Sequence, residues 1–124
     1  MIREYFEDQD KYVQEYGPKT ILISQCGGFY EIYGVDNGNP DDKQGIIYEI
    51  VEITNLNVSK RKNKFDPVSI KNPLMAGFPV HSFDKWKNIL LKEGYTIIKV
   101  EQDINGCKNP KRKIIYLSPR GKLF

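Results

Sequence analysis

Over the first sixteen residues, apolar side chains fall at helical intervals: Ile2, Tyr5, Phe6, Tyr12, Val13 and Tyr16 precede a Gly17-Pro18 stop. The spacing predicts a helix over Ile2–Tyr16. Residues 20–24 (TILIS) form a short β-branched run of the kind found in buried strands. Gly27-Gly28 interrupts it, as a bulge or bend, before residues 29–33 (FYEIY) resume the strand pattern. Residues 35–42 are turn chemistry, with Asp41 or Asp42 placed to cap a helix whose apolar face is Ile46, Ile47, Ile50 and Val51. A strand-like pattern from Leu56 runs into residues 59–64 (SKRKNK), a basic hairpin tip or loop, and residues 74–78 supply the partner strand, broken by Pro79. Ser82 stands as N-cap to the clearest helix, with Phe83, Trp86, Ile89 and Leu90 on its core side and Gly94 closing it. Residues 95–100 and 114–117 read as strands joined by a turn region at 105–113. The sum is an α+β domain, a mixed β-sheet flanked by helices, with residues 1–124 as one unit.

Composition narrows the class. With 40% hydrophobic and 28% charged residues, the chain is neither an acid-rich disordered segment nor a membrane protein, and its charged start (MIREYFEDQD) has no apolar signal core. An intracellular protein without membrane contact is expected. Cys26 and Cys107 lack the paired spacing of zinc or redox motifs, so no metal site is expected, and Cys26 reads as a small core residue. The net charge of +3 is uneven along the chain: residues 1–53 hold four Lys or Arg against eleven Asp or Glu, and residues 54–124 hold fifteen against five. Such a split points towards nucleic-acid contact.

The chemistry concentrates around Phe29. Phe29 and Glu31 lie two apart in a predicted strand, so both leave the same face. Gly27 and Gly28 before them remove side-chain bulk and allow a large partner to come close to the backbone. Gly28-Phe29-Tyr30-Glu31 resembles the Phe-x-Glu signature of the first, mismatch-recognition domain of the MutS family of DNA repair proteins, where Gly-Asp commonly stands in place of Gly27-Gly28. Residues 52–61 (EITNLNVSKR) are similar to that family's strand and Thr/Ser-Lys-Arg turn. Residues 75–81 (MAGFPVH) are similar to its Met-Ala-Gly-Ile-Pro-x-His segment, and residues 100–102 (VEQ) to its Cys-Glu-Gln. Order and spacing agree over nearly the whole chain.

The resemblance implies a MutS domain I-like fold and a DNA-binding wedge. Phe29 would enter the minor groove at a mispaired or unpaired base and Glu31 would hydrogen-bond that base. Gly28, Lys60, Arg61, Met75 and Pro79 would make supporting contacts, with Lys111, Arg112 and Lys113 as further basic positions. It also implies double-stranded DNA with mismatches or small loops as partner, the remaining domains of a longer parent protein, and a dimer at full length. No cofactor is expected in this domain: ATP and magnesium belong to the family's C-terminal ATPase, and no Gly-x-x-x-x-Gly-Lys-Ser/Thr loop occurs here. The expectation is a non-enzymatic domain with no catalytic residue.

From the residues alone, other readings stand beside this one. Phe29, taken without the resemblance, reads first as a core aromatic with Glu31 on an exposed edge. Glu101 and Asp103 near Lys99, with Asp36, Asp41 and Asp42, are the acids a metal-dependent nuclease would use. A tyrosine-rich surface around Tyr30 and Tyr33 would suit a protein-interaction module. His81, the single histidine, reads as a structural hydrogen-bonder.

Overall fold

A computed structural model describes residues 2–102, 112–119 and 121–122. Its elements run α1 (Ile2–Tyr16), β1 (Thr20–Cys26), β2 (Phe29–Gly34), α2 (Ile47–Thr54), β3 (Ser59–Lys60), β4 (Leu74–Pro79), α3 (Phe83–Lys92), β5 (Thr96–Gln102), β6 (Arg112–Ser118) and β7 (Gly121–Lys122). The strands form one sheet in the order β3-β4-β2-β1-β5-β6-β7. Only β1 and β5 pair in parallel, with Thr20 opposite Thr96 and Ser24 opposite Val100; the other pairings are antiparallel. The mixed α+β architecture is the one expected.

Period-two alternation sorts the sheet into two faces. Ile21, Ile23, Tyr30, Ile32, Ala76, Phe78 and Ile97 bury against α2 and α3. Leu22, Tyr33 and Ile98, with the partly buried Met75 and Val100, pack on the opposite side with Tyr5, Phe6 and Tyr12 of α1. Burying an aliphatic or aromatic side chain of this size contributes about 1.5–3 kcal/mol, so each face holds its helices by its own apolar layer.

The join between α1 and the sheet has a polar component. β2 pairs with β1 only at residues 24–26, which leaves residues 20–22 of β1 without a backbone partner on that side. α1 fills the gap. Gln9 Nε2 donates to the Thr20 carbonyl at 2.8 Å, the Leu22 amide donates to Gln9 Oε1 at 2.7 Å, and the Tyr5 hydroxyl donates to the Leu22 carbonyl at 2.6 Å. Buried backbone groups need such partners, which is why a glutamine lies in the helix's buried face.

Several local expectations are corrected. Gly27-Gly28 is neither bulge nor bend: it is the two-residue link of the β1–β2 hairpin, with Cys26 opposite Phe29 and Gly27 at φ 58°. A left-handed first central residue is the II′ pattern, whose twist matches that of the flanking strands. Asp41 and Asp42 do not cap α2. They lie in a single 3-10 turn capped by the Asn39 side chain, and Ile46 precedes α2 with no side-chain cap. The strand expected from Leu56 shrinks to Ser59–Lys60. Ser82 occupies the N-cap position of α3 without a capping side-chain bond, because a 3-10 turn over Val80–Ser82 leads straight into the helix. Pro79 closes β4 as its last paired residue. Cys26 is exposed, since it sits at the hairpin end of β1. Most of the turn region at 105–113 lies outside the described residues, as do Cys107 and Lys111; β6 begins at Arg112, earlier than expected, and β7 was not foreseen.

Candidate nucleic-acid interface

The hairpin places Phe29 at the first position of β2, between Cys26 on one side and Pro79 on the other. The ring is 52% exposed. Its backbone is therefore held on both edges while its side chain stands in solvent, and the reading of Phe29 as a core aromatic is excluded. The Gly28 carbonyl accepts from the Val80 amide at 2.9 Å, which ties the turn to the segment after β4. A Cβ built on Gly28 meets nothing within 4 Å, so that position has open space in front of it.

Glu31 follows on the same face, partly buried, and accepts a hydrogen bond at Oε1 from the Tyr33 hydroxyl. Tyr33 is 3% exposed, in edge contact with Tyr5 at 5.0 Å, and the Arg61 guanidinium lies 5.7 Å from its ring centre. Burial pushes the Tyr33 phenol above its usual range; Glu31 adds to the rise and Arg61 opposes it. The phenol thus remains an O–H donor at neutral pH.

Gly77 stands directly across from Glu31 in β4. A Cβ there would lie 2.7 Å from the Tyr30 carbonyl oxygen and 3.4 Å from Glu31 Cγ, so a side chain at this position would displace the Tyr30 carbonyl and press on the Glu31 stem. Sequence reasoning quoted Gly77 within a motif but gave it no role; the cross-strand register was the missing information. Met75, opposite Tyr33, is half-buried against the α1 layer, and Pro79, opposite Phe29, is half-buried at the rim. Beside these residues a cavity of about 180 Å³ is lined by Glu4, Asp8, Ser24, Cys26 and Tyr33 among others, which places acidic positions of α1 on the hairpin's flank.

Of the basic candidates, Lys60 and Arg61 lie at the other end of β2, whereas Arg112 and Lys113 open β6 at the hairpin's end of the sheet. Lys60 pairs opposite Leu74, and its ammonium donates to the carbonyls of Asp66 at 2.7 Å and Lys64 at 3.3 Å. Arg61 connects this end to the site through Tyr33. Lys113 is exposed on β6, opposite Glu101. Tyr30 and Tyr33, the centre of the supposed tyrosine-rich surface, are 5% and 3% exposed and belong to the core, which removes that surface. The acids weighed for a nuclease are dispersed. Glu101 pairs with Lys99 at 3.1 Å, Asp36, Asp41 and Asp42 lie beyond the opposite end of β2, and Asp103 falls outside the described residues. Among the described residues, no three His, Cys, Asp or Glu side chains cluster as a metal site would require. No helix among them is long and apolar enough to cross a membrane. His81 is exposed in the turn before α3.

An exposed aromatic with a carboxyl two residues on is thus carried by a hairpin paired on both edges within a mixed sheet. The MutS domain I family model matches residues 1–124, and the chain belongs to that family. It is 30% identical over 128 aligned residues to the DNA mismatch repair protein MutS of Lactobacillus gasseri, covering 100% of this chain. It is 29% identical over 102 residues to the MutS of Phocaeicola vulgatus and 29% over 107 residues to a mutS homolog of Acanthamoeba polyphaga mimivirus, each covering 82% of this chain. The chain spans 13%, 10% and 9% of the lengths of these three relatives.

Proposed function

We propose that this domain recognises mispaired or unpaired bases in double-stranded DNA within mismatch repair, as a non-catalytic part of a longer, dimeric protein. The observation that carries the reading is Phe29, half in solvent at the end of a doubly paired hairpin, with Glu31 on the same face. An apolar wedge must unstack a base step, which costs a few kcal/mol in sound duplex and less at a defect. Stacking on the ring returns about 1–3 kcal/mol. Deformability therefore supplies the selection, without a sequence code. Glu31 sharpens it: a carboxylate near phosphates is repelled by any duplex, and only a displaced base compensates by hydrogen bonding. Arg61, Lys60 and Met75, with Pro79 and Gly28 nearer the wedge, act as positioning contacts that carry no sequence information. ATP and magnesium belong to other domains of the parent protein.

The test is binding of matched duplex, a mismatched duplex and a duplex with one unpaired base, measured by fluorescence anisotropy at several salt concentrations. Phe29→Ala is expected to weaken defect binding about tenfold and matched binding little. Glu31→Ala is expected to tighten matched binding and shrink the preference. Equal weakening on all three DNAs by both variants would remove the wedge from consideration.

A further inference from the structure

We infer that Tyr33 is a positioning residue that makes Glu31 a hydrogen-bond acceptor for bases bearing an N–H, and so sets which defects this domain prefers; the inference rests on the wedge reading above. Tyr33 lies two residues after Glu31 on the same face, and its hydroxyl donates to Glu31 Oε1. The ring that carries the hydroxyl is fixed from three sides: by the edge contact with Tyr5, by Arg61, and by its burial against Val35 and Met75 in the α1 layer. Gly77 opposite leaves no side chain to compete for the carboxyl. One carboxyl oxygen is thus committed to a buried phenol, and the geometry leaves Oε2 for a partner.

A donor bond of this kind favours the ionised carboxyl, whose remaining oxygen offers lone pairs only. The imino N–H of a displaced thymine or guanine satisfies it. A purine N7 does not, because two acceptors facing each other gain no hydrogen bond and retain their desolvation cost. The Tyr33 tether therefore favours defects that display an imino N–H towards the minor-groove wedge over those that display only a ring acceptor. Arg61, whose own role would otherwise be a phosphate contact, supports the tether from the other side of the phenol.

The experiment uses duplexes with a single unpaired thymine or N3-methylthymine, and a second pair with unpaired adenine or 7-deazaadenine. Wild type, Tyr33→Phe and Glu31→Ala are compared, with thermal melts to establish folding. N3-methylation is expected to weaken wild-type binding about tenfold, and 7-deaza substitution to change it less than twofold. Glu31→Ala measures what the added methyl costs by bulk alone. Tyr33→Phe, which keeps the ring, is expected to lose most of the thymine gap beyond that bulk cost. Two further results overturn the inference. If Tyr33→Phe retains the full wild-type gap, Tyr33 is only structural while the wedge reading stands. If wild type shows no preference for any defect over matched duplex, the wedge reading fails and the inference with it. Should Tyr33→Phe melt early, the wild-type arms still decide: a loss on 7-deazaadenine as large as the loss on N3-methylthymine shows that Glu31 is not confined to accepting, and overturns the inference.

Discussion

Among the described residues, two phenylalanines stand in water, and they stand there differently. Phe65 is 83% exposed, more than Phe29 at 52%, and exposure alone would rank it first as a wedge. Phe65 sits in the loop between β3 and β4, whose shape is kept by side chains. The Asn72 amide donates to the carbonyls of Asn63 and Asp66 at 2.8 and 3.2 Å, and its oxygen accepts from the amides of Lys62 and Asn63. Phe29 is held by strand pairing on both flanks and has Glu31 beside it. Insertion between bases pushes back on the inserting residue, so a wedge needs a backbone that does not yield. The lesson is that what lies behind a side chain decides its use more than how much of it is visible.

Breaking the frame of each aromatic separately tests that contrast. Asn72→Ala removes a buried side chain that satisfies several backbone groups, and is expected to destabilise the fold by about 2–4 kcal/mol in denaturant titration. The mismatch preference of the molecules that remain folded should be unchanged, because the loop backs Phe65 and not Phe29. Gly77→Ala is smaller in stability, about 1–3 kcal/mol, since the new Cβ must displace the Tyr30 carbonyl. Its effect on recognition is expected to be the larger of the two, a several-fold loss of preference read by competition between matched and mismatched duplex. Phe65→Ala should be nearly silent, within about 0.5 kcal/mol in stability and less than twofold in discrimination. A Phe65→Ala variant that lost the preference as Phe29→Ala does would undo the contrast.

Much of the fold was legible because hydrophobic period carries it. α1, α3 and the β1, β2, β4 and β5 segments are legible from apolar spacing, whereas the parallel pairing of β1 with β5 is not. Phe29 and Glu31 were legible as a pair through their two-residue spacing and the motif around them. What escaped depends on relations across the sheet. Gln9 is polar in a buried helical face because β1 lacks a neighbour there, and no window along α1 reveals that. Cys26 ends an apolar run yet is exposed, since the run outlasts the cover that α1 gives. Tyr33 stands in the sequence as one alternative's surface tyrosine, but strand parity turns it under α1, where its hydroxyl reaches back to Glu31. The capping role given to Asp41 and Asp42 failed for a local reason: Asn39-Pro40 closes its own turn first.

The parallel seam between β1 and β5 has a bearing on how the chain acquires its shape during synthesis. Hairpin β1–β2 and its β4 neighbour arise from segments within sixty residues of one another, whereas Thr20 must wait for Thr96 before its other edge is covered. Pairings across so long a separation are slow to form. On a ribosome, the strip bearing Phe29 would emerge early and remain pliable, acquiring the rigidity that the proposed wedge needs only when the distant strand has slotted in behind it.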